Sequence, residues 1–248
     1  MRFFAYPWEI VAVVLRTLVE LAFLIYFWSL FSKSAPDSFG MVGFASYFLI
    51  ASGINELVMA QWGKFAYGLG EAISSGRINN YLLKPVMILP TIYIIAVGRN
   101  GVSKLLAIVT ICVGILIQPP QSIISIFLFV VFFINAVLIA YAYNIIEGTI
   151  FFHSADARGI RNAVNHTITV FSGLMIPISL FPQPFRGWLE LTPFPWMVYG
   201  PVNALRTSVF TQELAIDIVI VLSWSITLNI FAHLFWAWSI KKYEAIGI

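Results

Sequence analysis

Ser52, Asn55, Glu56 and Met59 fall within two helical turns of one another inside an apolar stretch. His166, Thr167, Thr169, Ser172 and Met175 repeat that pattern further along, and Arg16 and Glu20 stand four apart in the first apolar run. Polar and ionisable groups are expensive in hydrocarbon, so clusters of this kind mark inward-facing or pathway positions. Arg16 and Glu20 can lower their own cost by pairing at i, i+4. The Ser and Thr residues also have a plainer use, since in membrane helices they bond back to backbone or to a neighbouring helix. Asn55 and Glu56 are harder to explain that way, although a tilted helix brings Glu56 to the cytoplasmic headgroups.

Several chemistries are excluded. No G-x-x-x-x-G-K-[ST] phosphate loop occurs, so the chain does not bind and hydrolyse ATP in the usual way. His153, His166 and His233 lack metal-ligand spacing, and no G-x-S-x-G elbow is present. The acids are scattered rather than gathered at one interface. The single cysteine, Cys112, lies in an apolar run, rules out an intrachain disulfide and reads as a small buried hydrophobe. Asn165 and Thr167 form a glycosylation sequon by coincidence, at a position expected to face the cytoplasm.

The elements that hold these residues follow from composition. Hydrophobic residues make up 60% of the 248-residue chain and charged ones 10%, with a mean hydropathy of +0.90. A soluble domain so apolar would expose much of that surface to water, so lipid is part of the solvent. Crossing about 30 Å of hydrocarbon takes about 20 residues at 1.5 Å each. Six apolar stretches reach that scale, at about 8–31, 41–61, 104–118 (or 90–118 if it begins near Pro90), 122–146, 163–181 and 214–240. The first is too long, and too interrupted by Arg16 and Glu20, for a cleaved signal peptide, and it is expected to stay in the mature protein.

The net charge of +3 does not form a nucleic-acid patch, because the basic residues lie between apolar runs. In a six-span arrangement, Arg2, Lys64, Arg77, Lys84, Arg99, Lys104, Arg158, Arg161, Lys241 and Lys242 fall on one side. Lys33, Arg186 and Arg206 fall on the other. The positive-inside rule then puts both termini and the loops after the second and fourth spans in the cytoplasm. Glu147, Asp156, Arg158 and Arg161 belong to the second of those loops.

Two connections are patterned. In 62–103, Phe65, Leu69, Ala72 and Ile73 share a helical face beside Lys64, Glu71 and Arg77, which describes an amphipathic helix on the membrane surface. Gly76 can end it, Lys84 sits at headgroup level and Pro85 sets the angle at which the chain restarts. An interfacial linker explains the same pattern equally well. In 179–212, Pro182, Pro184, Pro193, Pro195 and Pro201 break the chain into short pieces rich in Phe and Trp. These are expected to dip back into the outer membrane face and to roof a cavity, because broken backbone at that depth must be covered.

The run Gly76, Ile78, Tyr81, Leu82, Leu83, Lys84, Pro85 after the second span, with Gly173, Pro177, Phe181, Pro182, Pro193, Phe194, Tyr199 and Pro201 after the fifth, resembles the permease subunits of type-2 ABC exporters whose ATPase is separately encoded. The likeness covers essentially the whole chain. It implies an all-α integral membrane fold: six transmembrane helices, a cytoplasmic amphipathic coupling helix, and a re-entrant, proline-broken outer segment between helices five and six, in one domain over 1–248. It implies a multi-pass protein of the inner (plasma) membrane that pairs with a second permease subunit, identical or homologous, and rests on a cytoplasmic ABC ATPase subunit. ATP and Mg belong to that ATPase, and no cofactor to this chain. Phe65, Leu69, Glu71, Arg77, Lys84 and Pro85 then serve ATPase coupling. Ser52, Asn55, Glu56, Met59, Thr169, Ser172 and Met175 line the substrate pathway, and Pro177, Phe181, Phe194 and Tyr199 form the outer gate.

A lining of Phe, Met and Ser suits an amphiphilic, lipid-like or drug-like substrate, and related permeases also move glycans. An ion-coupled secondary transporter and a membrane-embedded lipid-modifying enzyme are the competing classes. The first is expected to show internal repeats or a buried acid among broken helices, the second clustered acids and histidines; neither pattern is clear here.

Overall fold

The computed structural model describes residues 7–30, 40–98, 101–154 and 158–243. Arg2, Lys33, Arg99 and Asp156 lie outside the described residues, as does the side chain of Arg158. Among the described residues the chain is helical, without strands.

Helix α1 (Pro7–Ser29) opens on proline, whose missing N–H costs nothing in a first turn. α2 (Met41–Asn55) passes through one π-helical stretch, Glu56–Ala60, directly into α3 (Gln61–Ser74). Gly76 then takes a φ of +71°, and the Ile78 amide turns back to the Ala72 carbonyl at 2.8 Å while its side chain is buried. α4 (Asn79–Leu82) and α5 (Ile88–Gly98) follow Gly76 and Pro85 in turn. α6 (Gly101–Ile117) stops at Pro119 and Pro120, and Ser122 caps α7 (Ile123–Thr149) by accepting the Ser125 amide at 3.2 Å. Next come α8 (Arg158–Phe171), α9 (Gln183–Glu190) and α10 (Tyr199–Ala204). α11 (Gln212–Lys241) is capped by Thr211, which accepts the Leu214 amide.

Packing follows small and polar residues, because apolar side chains have no reason to prefer a neighbouring helix to lipid. α2 meets α6 so closely that a Cβ on Gly53 would sit 2.6 Å from the Ala107 carbonyl oxygen, and one on Gly114 3.1 Å from that of Ser46. The Ser46 hydroxyl donates across this contact to the Gly114 carbonyl at 2.9 Å. α7 is joined to α11 by Ser225 Oγ to Asn135 Oδ1 at 2.7 Å and by Asn229 Nδ2 to the Leu138 carbonyl at 3.0 Å. α3, α5 and α7 meet in an aromatic trio of Phe65, Tyr93 and Tyr141, with ring centres 5.9 to 6.0 Å apart.

Four helical runs are long and apolar enough to cross a membrane: residues 11–29, 41–74, 123–152 and 212–241. The third expected span is instead a pair, α5 and α6, bent by 72°; counted as one crossing it makes five. The stretch expected at 163–181 is not one helix. α8 has 14 residues, about 21 Å of rise, and the chain leaves the helix before Gly173, which takes a φ of +88°.

Other expectations change at the level of side chains. The apolar face of α3 is covered by protein rather than left for the membrane surface: Phe65, Leu69, Ala72 and Ile73 are buried against α5 and α7. Glu147 is not in a solvated loop but in the last turn of α7, 4% exposed. Cys112 is exposed on α6 rather than buried. Arg16 and Glu20 form no ion pair with each other among the described residues, and both border a cavity instead.

Candidate transport and docking sites

The residues singled out by sequence divide among three places. At one end of the α2–α3 run, Arg77 Nη2 lies 2.7 Å from Glu71 Oε1, with the two side chains 54% and 48% exposed. Arg77 Nε donates to Ser75 Oγ at 3.1 Å, so the Gly76 turn holds the ion pair against the end of α3. Lys84 and Pro85 are exposed beyond it. Phe65 and Leu69 are fully buried, so they seat α3 on α7 and present no surface to a partner. A Cβ on Gly148 of α7 would lie 2.7 Å from Leu69 Cδ2, which shows how close this seat is.

Beside this joint opens a cleft of about 400 Å³, bordered by Lys64, Tyr67, Glu71, Arg77 and Arg161. The Arg161 guanidinium stacks 5.4 Å from the Tyr67 ring centre. Behind it, Glu147 Oε1 accepts from Asn165 Nδ2 at 2.8 Å and lies 3.6 Å from Arg161 Nε, tying α8 to the end of α7. Sequence reading missed this triad because Glu147 stands 14 residues from Arg161 and 18 from Asn165, across a loop. The signal was there in Glu147, set within the apolar run Ile145–Phe152, where a loop is not expected.

Ser52, Asn55 and Glu56 border a second cavity, of about 260 Å³, between α1, α2 and α6, with Arg16, Glu20 and Lys64. The π-helical stretch begins at Glu56. Such stretches often occur at functional positions. Met59 is partly buried against the core next to it.

Thr169, Ser172 and Met175 lie elsewhere. No cavity described among these residues is lined by both clusters. Thr169 Oγ1 donates to the Asn165 carbonyl at 2.8 Å and Ser172 Oγ to that of Thr169 at 3.3 Å, so both hydroxyls serve their own helix. Past them the chain unwinds, and every freed carbonyl from Ser172 to Gly173, and that of Met175, finds a donor from another element. The Tyr199 amide reaches Ser172 at 3.0 Å, the Tyr47 hydroxyl reaches Gly173, and Trp28 Nε1 reaches Met175 at 2.8 Å.

The proline-broken segment is built of short helices, as its sequence suggests. Pro177 is buried at the turn, and Phe181 and Phe194 pack against the core. Tyr199 is buried, only 6% exposed. Trp196 stacks on Phe132 of α7 at 5.7 Å and donates Nε1 to the Glu190 carbonyl at 3.1 Å. Trp224 of α11 donates to Leu191 at 2.8 Å. Indole and phenol groups thus anchor the segment to α2, α7 and α11 at once.

Helices of this length and apolarity define an integral membrane protein. Residues 18–247 match the family described as ABC-2 family transporter protein. The chain belongs to that family: it is an ABC transporter permease, a transport subunit of the membrane rather than an enzyme. Membership implies association with an ABC ATPase. No curated protein matches the chain.

Proposed function

We propose that the chain is the transmembrane subunit of an ATP-driven exporter, paired with a second permease subunit in the inner (plasma) membrane, both termini cytoplasmic. The observation that carries this reading is the single helical run 41–74. Its 34 residues rise about 51 Å, roughly 20 Å more than hydrocarbon requires. The excess is α3, ending in the exposed Glu71–Arg77 pair. A partner pressing on that end tilts the whole run, and a rigid-body tilt of this kind is how transporters alternate access.

In this reading Phe65 and Leu69 seat the joint, Glu71 and Arg77 meet the ATPase, and Lys84 and Pro85 fix the chain after it. The ATPase supplies ATP and Mg. The cationic cleft beside Arg77 and Arg161 suits an acidic projection of that subunit. α8 with the unwound stretch after it completes the sixth crossing. Ser52, Asn55, Glu56, Met59, Thr169, Ser172 and Met175 face the pathway. Pro177, Phe181, Phe194 and Tyr199 close it on the outer side. The cargo is an amphiphile: lipid-like, drug-like or a glycan.

The test is co-purification of the tagged chain in mild detergent, with mass spectrometry of its partners and an ATPase assay. A soluble ATPase recovered with the chain, and lost when Glu71→Ala and Arg77→Ala are combined, is the expected result. A chain that comes alone, under conditions that preserve other membrane complexes, overturns the reading in favour of an ion-coupled carrier.

A further inference from the structure

Helix α11 ends in more structure than crossing a membrane requires. Ile226, Ile230, Leu234 and Trp238, each four residues from the next, are 48–65% exposed and form one ridge. Phe231 and Phe235 form the ridge beside it, their ring centres 6.0 Å apart and their planes 6° from parallel. The groove between two such ridges rises about 18 Å from Ile226 to Trp238, close to the depth of one leaflet of a hydrocarbon core about 30 Å thick. At its end Trp238 is held by two neighbours. His153, just past the turn that follows α7, stacks on the indole at 5.0 Å and is itself fixed, with Nε2 2.8 Å from the hydroxyl of buried Ser239. Lys242 Nζ lies 4.0 Å from the Trp238 ring centre. Lys241 and Lys242 are both exposed, and no carboxylate among the described residues forms an ion pair with either. The carbonyl end of the helix offsets about half of one charge, so the end of the groove stays positive.

We propose that this groove binds an anionic phospholipid of the leaflet at the C-terminal end of α11, with its phosphate toward Lys241 and Lys242 and one acyl chain along Phe231, Leu234 and Trp238. Charge chooses the headgroup. A zwitterionic lipid brings an ammonium of its own to two others, and its net attraction is small. An anionic headgroup keeps the whole of its attraction, worth about fivefold for each lysine near a membrane surface. The cation–π contact holds the Lys242 ammonium beside the indole, at the interface where tryptophan has both apolar and polar partners. Trp238 therefore positions the charge as well as the chain. The inference goes beyond the transport reading and needs only that α11 crosses a bilayer.

The experiment is native mass spectrometry of the full-length chain released from detergent micelles, titrated with phosphatidylglycerol and separately with phosphatidylethanolamine. Soluble glycerophosphoglycerol serves as a competitor without tails. Phosphatidylglycerol is expected to be retained over phosphatidylethanolamine by roughly tenfold and to resist the soluble competitor. Lys241→Gln combined with Lys242→Gln should bring the two lipids to equal retention, and arginine at both positions should restore the preference. Trp238→Leu keeps both charges and should still lose most of the preference, whereas Trp238→Phe should keep it. A misfolded chain cannot be rescued by the conservative variant in each case. Equal retention of both lipids by the unaltered chain, or preference for phosphatidylethanolamine, would overturn the proposal. So would indifference to the paired lysine change, indifference to Trp238→Leu, which means adhesion by charge alone, or displacement by the soluble headgroup, which means a free-anion site. Because no ATPase is present in the measurement, the lipid site and the exporter reading can fail separately.

Discussion

The phenol of Tyr47, buried in the first half of α2, donates to the carbonyl of Gly173, where the chain past α8 leaves the helix. Gly173 has a φ of +88°, and a Cβ there would lie 2.8 Å from both Tyr47 Oη and Tyr199 Cβ. Neither the conformation nor the space admits a side chain. Gly173→Ala should therefore cost about 1–3 kcal/mol through strain alone, seen as a lowered unfolding temperature in detergent. Gly187→Ala is the control: it lies in α9 with nothing within 4 Å of its Cβ, and should be neutral or slightly stabilising.

Tyr47→Phe removes the same hydrogen bond and keeps the ring. Its expected loss is about 0.5–1.5 kcal/mol, smaller than that of Gly173→Ala. A loss as large as that of Gly173→Ala would mean that the carbonyl, once orphaned, refolds the whole turn. Limited proteolysis between α8 and α9 reports which occurs.

Glu147 ties α8 to α7. Glu147→Ala leaves the half-buried Asn165 without its acceptor and should cost about 1–3 kcal/mol, with early cleavage or exchange at α8. Glu147→Gln keeps an acceptor oxygen within reach of Asn165 Nδ2 and should lose less. Equal losses would assign the stability to the Arg161 contact instead.

The exposed Glu71–Arg77 pair should matter little to the fold. Alanine at either position is expected to change stability by less than about 1 kcal/mol, checked by thermal unfolding of the chain alone. That outcome is what lets a lost ATPase partner be read as a lost contact.

How much of this was legible in the residues depended on the range of the signal. The amphipathic face of Phe65, Leu69, Ala72 and Ile73 was correctly placed on one side of a helix, because 3.6-residue periodicity is local. What covers that face, α5 and α7 rather than lipid, depends on tertiary contacts that no periodicity encodes. Gly76 and the prolines at 182, 184 and 195 marked helix breaks for the same local reason. Helix α8 did not extend as its apolar content suggested, because Gly173 takes a left-handed turn fixed by Tyr47 and Tyr199 from distant elements. The π-helical stretch at Glu56 has no sequence signature among the residues beside it. Arg16 and Glu20 had the spacing of a pair, yet they border a cavity whose other walls lie up to 94 positions away, at Thr110.

Tyr47 and Glu71 ride on one helical run, 24 residues or about 36 Å apart. In genetic terms the two ends of that run form one complementation problem. If the run tilts as one body, as proposed above, a lesion in the turn that Tyr47 secures and a lesion at the Glu71 joint should impair transport alike, and second-site suppressors of one are to be sought at the other. A map of such mutations along the chain will cluster by helix rather than by site.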